Sequence, residues 1–183
     1  MRTVVLVEGV SDRVALETLA RRRGRSLPAD GVEVVAKGGA TNIARHLAEL
    51  GPPGNGVRVA GLCDAREERW FRRALERAGY GPVGTVAELA ALGFFVCHAD
   101  LEEELIRAVG VDGVLAVIAA EGELRSLQRL QHQPAHLDRD IHAQLHRFMG
   151  ARATRKTRYA RLLVEALDLT RVPSALDGVL ASV

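Results

Sequence analysis

Glu8 and Asp12 stand four residues apart in "VVLVEGVSDRVALETLARRRG" (residues 4–24), where an apolar run gives way to a helical pattern. Two carboxylates at a strand-to-helix junction repel one another and resist burial, so the choice is between an ordinary helix start and a bound cation. Three more acidic positions favour the cation. Asp64 closes the apolar run "VRVAGLCD", and Asp100 and Glu102 follow "GFFVCH". Carboxylates gathered without a cation raise one another's pKa and cost stability, whereas a hard divalent ion makes the same group favourable. Oxygen ligands of this kind suit Mg2+ or Mn2+ rather than zinc. Taken singly, Asp12 reads equally well as a partner of the helix dipole, and Glu102 to Glu104 as an acidic first turn. The convergence is what points to a metal.

The elements that must position these residues alternate. "TVVLVE" reads as a buried strand, followed by a helix with Val10, Val14, Ala15, Leu16 and Leu19 on its inner face and Gly24 at its end. "VEVVAK" is a second strand, and Thr41 is placed to cap a helix that buries Ile43, Leu47 and Leu50. "VRVAGLCD" is a third strand, with Trp70, Phe71, Ala74, Leu75 and Ala78 inward on the helix after it; "GFFVCHAD" is a fourth, with Leu101, Leu105, Ile106 and Val109 inward. Four strand–helix alternations with short loops predict an α/β fold with a central, mainly parallel four-stranded sheet covered on both faces. In such a sheet ligands bind beyond the carboxyl ends of the strands, where Glu8, Asp64, Asp100 and Glu102 all fall. After Gly110 only helical patterns follow: "VDGVLAVIAAEGELRSLQRL", "DIHAQLHRFM", "TRYARLLVEALDL" and "SALDGVLASV". The expected division is residues 1–110 as the α/β domain and 111–183 as a helical extension.

Composition is that of a globular chain, 48% hydrophobic and 26% charged over 183 residues, with no signal-peptide pattern and no apolar stretch able to span a bilayer. It reads as a cytoplasmic protein. Cys63 and Cys97 are too few for a disulfide framework and read as small core residues. Arginines cluster at Arg21 to Arg25 and again at Arg152, Arg155, Arg158 and Arg161, either as solvated helix faces or as phosphate-binding patches. Only two lysines, Lys37 and Lys156, interrupt that bias among 25 basic residues, which suggests that a compact ammonium is needed at one of them.

Several other site types find little support. His142 and His146 are spaced to share a helix face, as are His132 and His136 across Pro134, but no further ligand is spaced with them for zinc. "KGGATN" reads as a tight turn before it reads as a phosphate loop. No Gly-x-Ser-x-Gly elbow is present. Tyr80 and Tyr159 lack any accompanying strand-passage domain that would make a topoisomerase nucleophile of either.

"LVEGVSDRVALETL", "VAKGGATNIARHL", "GLCDA", "HADLEEELI" and "RKTRYARLL", in this order, resemble a Toprim domain of the OLD-family (overcoming lysogenization defect) nuclease type. The resemblance covers most of the chain, and it implies a Rossmann-like Toprim fold and metal-dependent hydrolysis of phosphodiester bonds in nucleic acid, DNA foremost. By that resemblance Glu8 and Asp12 are the first acidic pair, Asp64 the first aspartate of an Asp-x-Asp, Glu102 the glutamate of "DLE", and Lys156 the lysine of the C-terminal helix. Glu8, Asp64 and Lys156 are then the expected catalytic residues. Full-length OLD proteins carry an ATPase domain ahead of this one; the sequence has no Gly-Lys-Ser/Thr loop, so a separate ATPase or other partner protein is the expectation. One position departs from the pattern. Arg66 stands where the second aspartate belongs, unless Glu67 or Glu68 rotates into its place as a metal ligand. A non-catalytic Toprim-fold module that binds nucleic acid or a partner is therefore the competing expectation.

Overall fold

The computed structural model describes residues 2–39, 42–50, 53 and 55–183. Four strands, β1 (Arg2–Val7), β2 (Val32–Ala36), β3 (Val57–Asp64) and β4 (Phe94–Cys97), form one sheet in the order β2-β1-β3-β4, with every pairing parallel. Because side chains alternate along a strand, each strand feeds two cores. Val5, Val7, Ala60, Leu62 and Cys97 face one side; Val4, Leu6, Val59, Cys63 and Phe94 face the other. Gly61 lies between Leu6 and Phe94 in the ladder, and a Cβ there would stand 2.7 Å from the Phe94 ring, so glycine is required for that aromatic to close over the sheet.

The second face is covered by α2 (Ile43–Leu50), α3 (Glu68–Arg77) and α4 (Val86–Ala91), through Ile43, Leu47, Phe71, Ala74, Leu75 and Leu89. Thr41, expected to cap α2, lies outside the described residues. The first face carries α1 (Val10–Arg22) and α5 (Leu101–Val109), then α6 (Val111–Ala120), α7 (Leu124–Gln131), α8 (Ile141–Gly150), α9 (Ala153–Ala166) and α10 (Ser174–Ala181). The C-terminal helices share this core with the sheet: α9 lies along α1, and α10 lies against β4, where any side chain at Gly178 would strike Phe95. The core thus crosses residue 110 without a break. No helix among the described residues is long and apolar enough to cross a membrane.

Local details depart from the sequence reading. The pattern over 111–130 predicts one helix, but Gly122 at φ 68° ends α6: its N–H bonds the Ala119 carbonyl and the Glu123 N–H reaches back to Ile118, a left-handed cap that only glycine adopts cheaply. Trp70, expected inward, is 37% exposed and flanked by Arg69 and Arg73. It sits one helical step off the buried stripe of Phe71, Ala74 and Leu75. Val10 is likewise exposed, because it opens the first turn of α1 before the helix reaches its neighbours. Gly38 and Gly39 take positive φ in a turn tied by Asn42, whose amide donates to the Lys37 and Gly38 carbonyls.

Candidate metal centre

At the carboxyl edge of the sheet Glu8 leaves β1, Asp64 ends β3, and Asp100 and Glu102 open α5 just past β4. Asp12 enters from the first turn of α1 and is only 6% exposed; its Oδ2 accepts the Gly9 N–H at 2.7 Å, which ties down the start of the helix. Burial pushes the Asp12 carboxyl up to about 6, against the pull of the Gly9 N–H and Lys156. Asp64 is buried as well and is pushed up to about 8, first by burial and then by Glu8, Asp12 and Asp100.

Asp100 is the N-cap of α5, its Oδ1 accepting the Glu103 N–H at 2.9 Å. Its Oδ2 lies 2.8 Å from His146 Nε2 on α8. Burial raises the Asp100 carboxyl, but the contacts with His146 and the Glu103 N–H outweigh it and the net shift is downward. His146 is raised in return, chiefly by its bond to Asp100. Glu102 is 6% exposed and raised by burial, and its Oε2 takes the Lys156 ammonium of α9 at 3.1 Å. Its other oxygen, Oε1, is buried without a hydrogen-bond partner. Burial works against the charge of Lys156, but Glu102, Asp12 and Asp64 together raise it. Among the described residues, one group of at least three His, Cys, Asp or Glu side chains has ligand atoms all within 4.8 Å of one another: Asp100, Glu102 and His146. Glu8, Asp12 and Asp64 are spaced more openly.

His146 is the residue that sequence reasoning missed. It was legible only as half of a His142–His146 pair, whereas its partners are two carboxylates from another element. The remaining histidines do not join it: His132 bonds the Gln128 carbonyl, and His136 is buried by itself.

Glu67 lies elsewhere. Its carboxylate takes the Lys37 ammonium at 3.0 Å in a nearly solvent-free pair, and Lys37 sits 4.9 Å from the Phe71 ring centre on the α3 face. A buried ammonium needs an anion, and Glu67 supplies it. Glu68 is held by Arg72 one turn along α3. Neither occupies the place of Arg66, whose own guanidinium reaches Asp64 Oδ2 at 3.3 Å. That side chain is 73% exposed, so water screens it and it does little to offset the burial of Asp64. Glu104 is buried but committed, accepting the His98 N–H at 2.7 Å and pairing with Arg107. Cys63 and Cys97 are free, buried thiols pushed upward by burial, which suits inert core positions.

Residues 1–65 match the family model described as overcoming lysogenization defect protein-like, TOPRIM domain. The chain superposes on the C-terminal region of the Xanthomonas campestris pv. campestris OLD protein, solved by platinum phasing, with a TM-score of 0.71 and 25% identity over 98% of this chain and 90% of that one. It also superposes on the C-terminal region of the Burkholderia pseudomallei OLD protein, with a TM-score of 0.76 and 20% identity over 98% of this chain and 95% of that one. No curated protein matches the sequence. The chain therefore carries the OLD-like Toprim fold, with the family's sequence pattern in its first 65 residues.

Proposed function

We propose that this protein is a nuclease that hydrolyses phosphodiester bonds in nucleic acid, DNA foremost, with Mg2+ or Mn2+ held at the carboxyl edge of its sheet. The observation that carries the reading is the acidic convergence itself: Glu8, Asp12 and Asp64 stand at the same sheet edge as the compact group of Asp100, Glu102 and His146, and burial with the neighbouring carboxylates pushes Asp64 up to about 8. The donor set fits a hard divalent ion, and the buried, unpartnered Glu102 Oε1 is an oxygen with no other use. Glu8, Asp12 and Asp64 would hold the principal ion. Asp100, Glu102 and His146 would hold a second and weaker one, and the imidazole there favours Mn2+ over Mg2+. A bound ion supplies Lewis-acid polarisation of the phosphate and a lowered pKa for an attacking water.

The chain's own residues do the rest. Lys156 keeps its ammonium charged among the carboxylates and at the edge where the scissile phosphate must sit, ready to neutralise charge that develops on it. Glu102 orients that ammonium by its Oε2. Asp100 fixes the imidazole of His146, and its own orientation is set by capping α5.

Arg66 favours a second reading, in which the fold binds nucleic acid or a partner without cutting. Its guanidinium occupies an oxygen of Asp64, where the family pattern expects a carboxylate. Supercoiled-plasmid nicking separates the two. The nuclease reading predicts Mn2+-dependent nicking that is lost in Glu8→Gln and Asp64→Asn and is blocked by chelation. A protein that binds Mn2+ yet nicks neither plasmid nor single-stranded substrate would be the binding module.

A further inference from the structure

Arginine dominates the positive charge of this chain, and the structure separates the arginines it uses internally from those it leaves free. Arg22 donates to the Val164 and Leu167 carbonyls at 2.8 and 2.5 Å, and Arg23 pairs with Asp177. Arg25 holds Asp30 and the carbonyls of Leu180 and Val183. The run Arg21 to Arg25 is therefore largely a staple that ties α1 to α9 and α10. On α9, Arg161 pairs with Glu165, while Arg155 and Arg158 converge on Glu123 at 3.1 and 2.6 Å. Several exposed arginines among the described residues, Arg58, Arg73, Arg77 and Arg147 included, have no such partner, but three of the unpaired ones stand together: Arg125 and Arg129 on α7 and Arg152 at the start of α9. All three are exposed, and among the described residues none has a carboxylate within 4.0 Å.

These three guanidiniums and that of Arg155 line one open cavity of about 720 Å³, where α7 turns away from α6 at Gly122 and meets the start of α9. A smaller cavity of about 250 Å³ shares Glu123, Arg152 and Arg155 and continues along α9 to Thr154 and Arg158. The one carboxylate in either cavity, Glu123, is already held by Arg155, Arg158 and the Tyr159 hydroxyl, the last at 2.7 Å. Free cations of one sign around a concave surface repel each other unless an anion joins them.

We propose that this cavity seats the phosphate backbone of the nucleic acid. This rests on the nuclease reading and extends it to a substrate-positioning site outside the acidic edge. Guanidinium forks match phosphate oxygens in pairs, which ammonium groups do not, and here the free cations are all arginine. The first turn of α9 adds N–H groups with no side-chain cap. Direction follows from the same helix. Lys156, four residues beyond Arg152 and so about 6 Å along the axis, reaches Glu102 at the acidic edge. A strand lying in the cavity is thereby led toward the metal ligands.

The test is fluorescence anisotropy of a labelled DNA duplex in EDTA, over a range of KCl concentrations, for the unmodified protein and an Arg125→Ala/Arg129→Ala/Arg152→Ala variant. Each phosphate contact contributes about 0.9 to the slope of log K against log salt. The variant should therefore be less steep by about 2 to 3, and it should bind at least tenfold more weakly at low salt. Arg129→Glu should by itself weaken binding severalfold. An unchanged melting temperature and unchanged Mn2+ binding exclude misfolding as the cause. An unchanged slope overturns the proposal, as does displacement of the duplex by ATP or polyglutamate as effective as by unlabelled DNA, which would reassign the cavity to a nucleotide or an acidic peptide. The two readings fail separately. Nicking with an unaltered slope removes the cavity and leaves the nuclease, whereas the expected slope change without nicking does the reverse.

Discussion

Replacing Asp12 with asparagine should make the metal-free protein more stable at pH 8 and leave it unchanged at pH 4. Asp12 is buried, and its carboxyl is pushed from the ordinary 3.8 up to about 6, mainly by burial. A carboxyl whose pKa is raised on folding holds its proton more tightly in the folded chain. Stability is therefore full below about pH 4, declines as pH rises toward the folded pKa of about 6, and is level above it. A shift of this size corresponds to about 3 kcal/mol as an upper figure. Asparagine keeps an oxygen to accept the Gly9 N–H and removes the charge, so the variant escapes this penalty. At about 2 to 4 °C per kcal/mol for a chain of this length, its melting temperature in EDTA at pH 8 should be higher by up to roughly 6 to 12 °C. Mn2+ should reverse the order. At a hundredfold excess over Kd the unmodified protein gains about 2.7 kcal/mol, while the variant, short of one ligand, gains less. Thermal melts from pH 4 to 8, with EDTA and with Mn2+, read all of this directly. Equal or lower stability of Asp12→Asn in EDTA at pH 8 would refute the reasoning, because Asp12 would then carry no strain for a cation to relieve.

Lys156→Ala should abolish cleavage, keep Mn2+ binding largely intact and cost about 2 kcal/mol, less than the 3 to 5 of a fully buried pair because Lys156 is a third exposed; Lys156→Arg should be partly active, and full activity in the alanine variant would remove Lys156 from the mechanism. Calorimetry should find that Arg66→Asp tightens the ion at Asp64, because the exposed guanidinium now paired with that carboxylate opposes a divalent ion about 5 Å away by about 2 kcal/mol even with water-like screening; an unchanged affinity would contradict this. His146→Ala should weaken the second ion and abolish any nitrogen coupling in the Mn2+ resonance spectrum, and a spectrum without such coupling in the unmodified protein would take His146 out of the ligand set. Lys37→Ala should lower the melting temperature sharply by stranding Glu67, with Mn2+ affinity unchanged, and a selective loss of metal binding would bring that pair into the site.

What could be read from the sequence was whatever chain position alone determines. Apolar runs buried on both faces announce parallel strands, and a carboxylate directly after such a run must lie at the carboxyl edge, so Glu8, Asp64, Asp100 and Glu102 were legible before any contact was known. Whatever depends on packing between distant segments was not. His146 meets Asp100 only because α8 crosses α5, 46 residues away in sequence. The Lys37–Glu67 pair forms between segments that leave β2 and β3, with β1 between those strands, and nothing local to either residue encodes it. The arginine clusters likewise looked alike as charge. Which of their members are bound internally, as Arg22, Arg23, Arg25, Arg155 and Arg158 are, and which is left free, as Arg152 is, rests on which carbonyls and carboxylates the fold brings near.

If the carboxyl edge is a divalent-metal centre, anomalous diffraction from crystals soaked in Mn2+ at neutral pH will locate the ions. A strong peak is expected between Glu8 and Asp64 on the Asp12 side, with a weaker one beside Asp100, Glu102 and His146, and the first should be lost in Asp64→Asn. No peak at Glu8 and Asp64 under saturating Mn2+, with Arg66 still holding Asp64, would contradict a metal centre there.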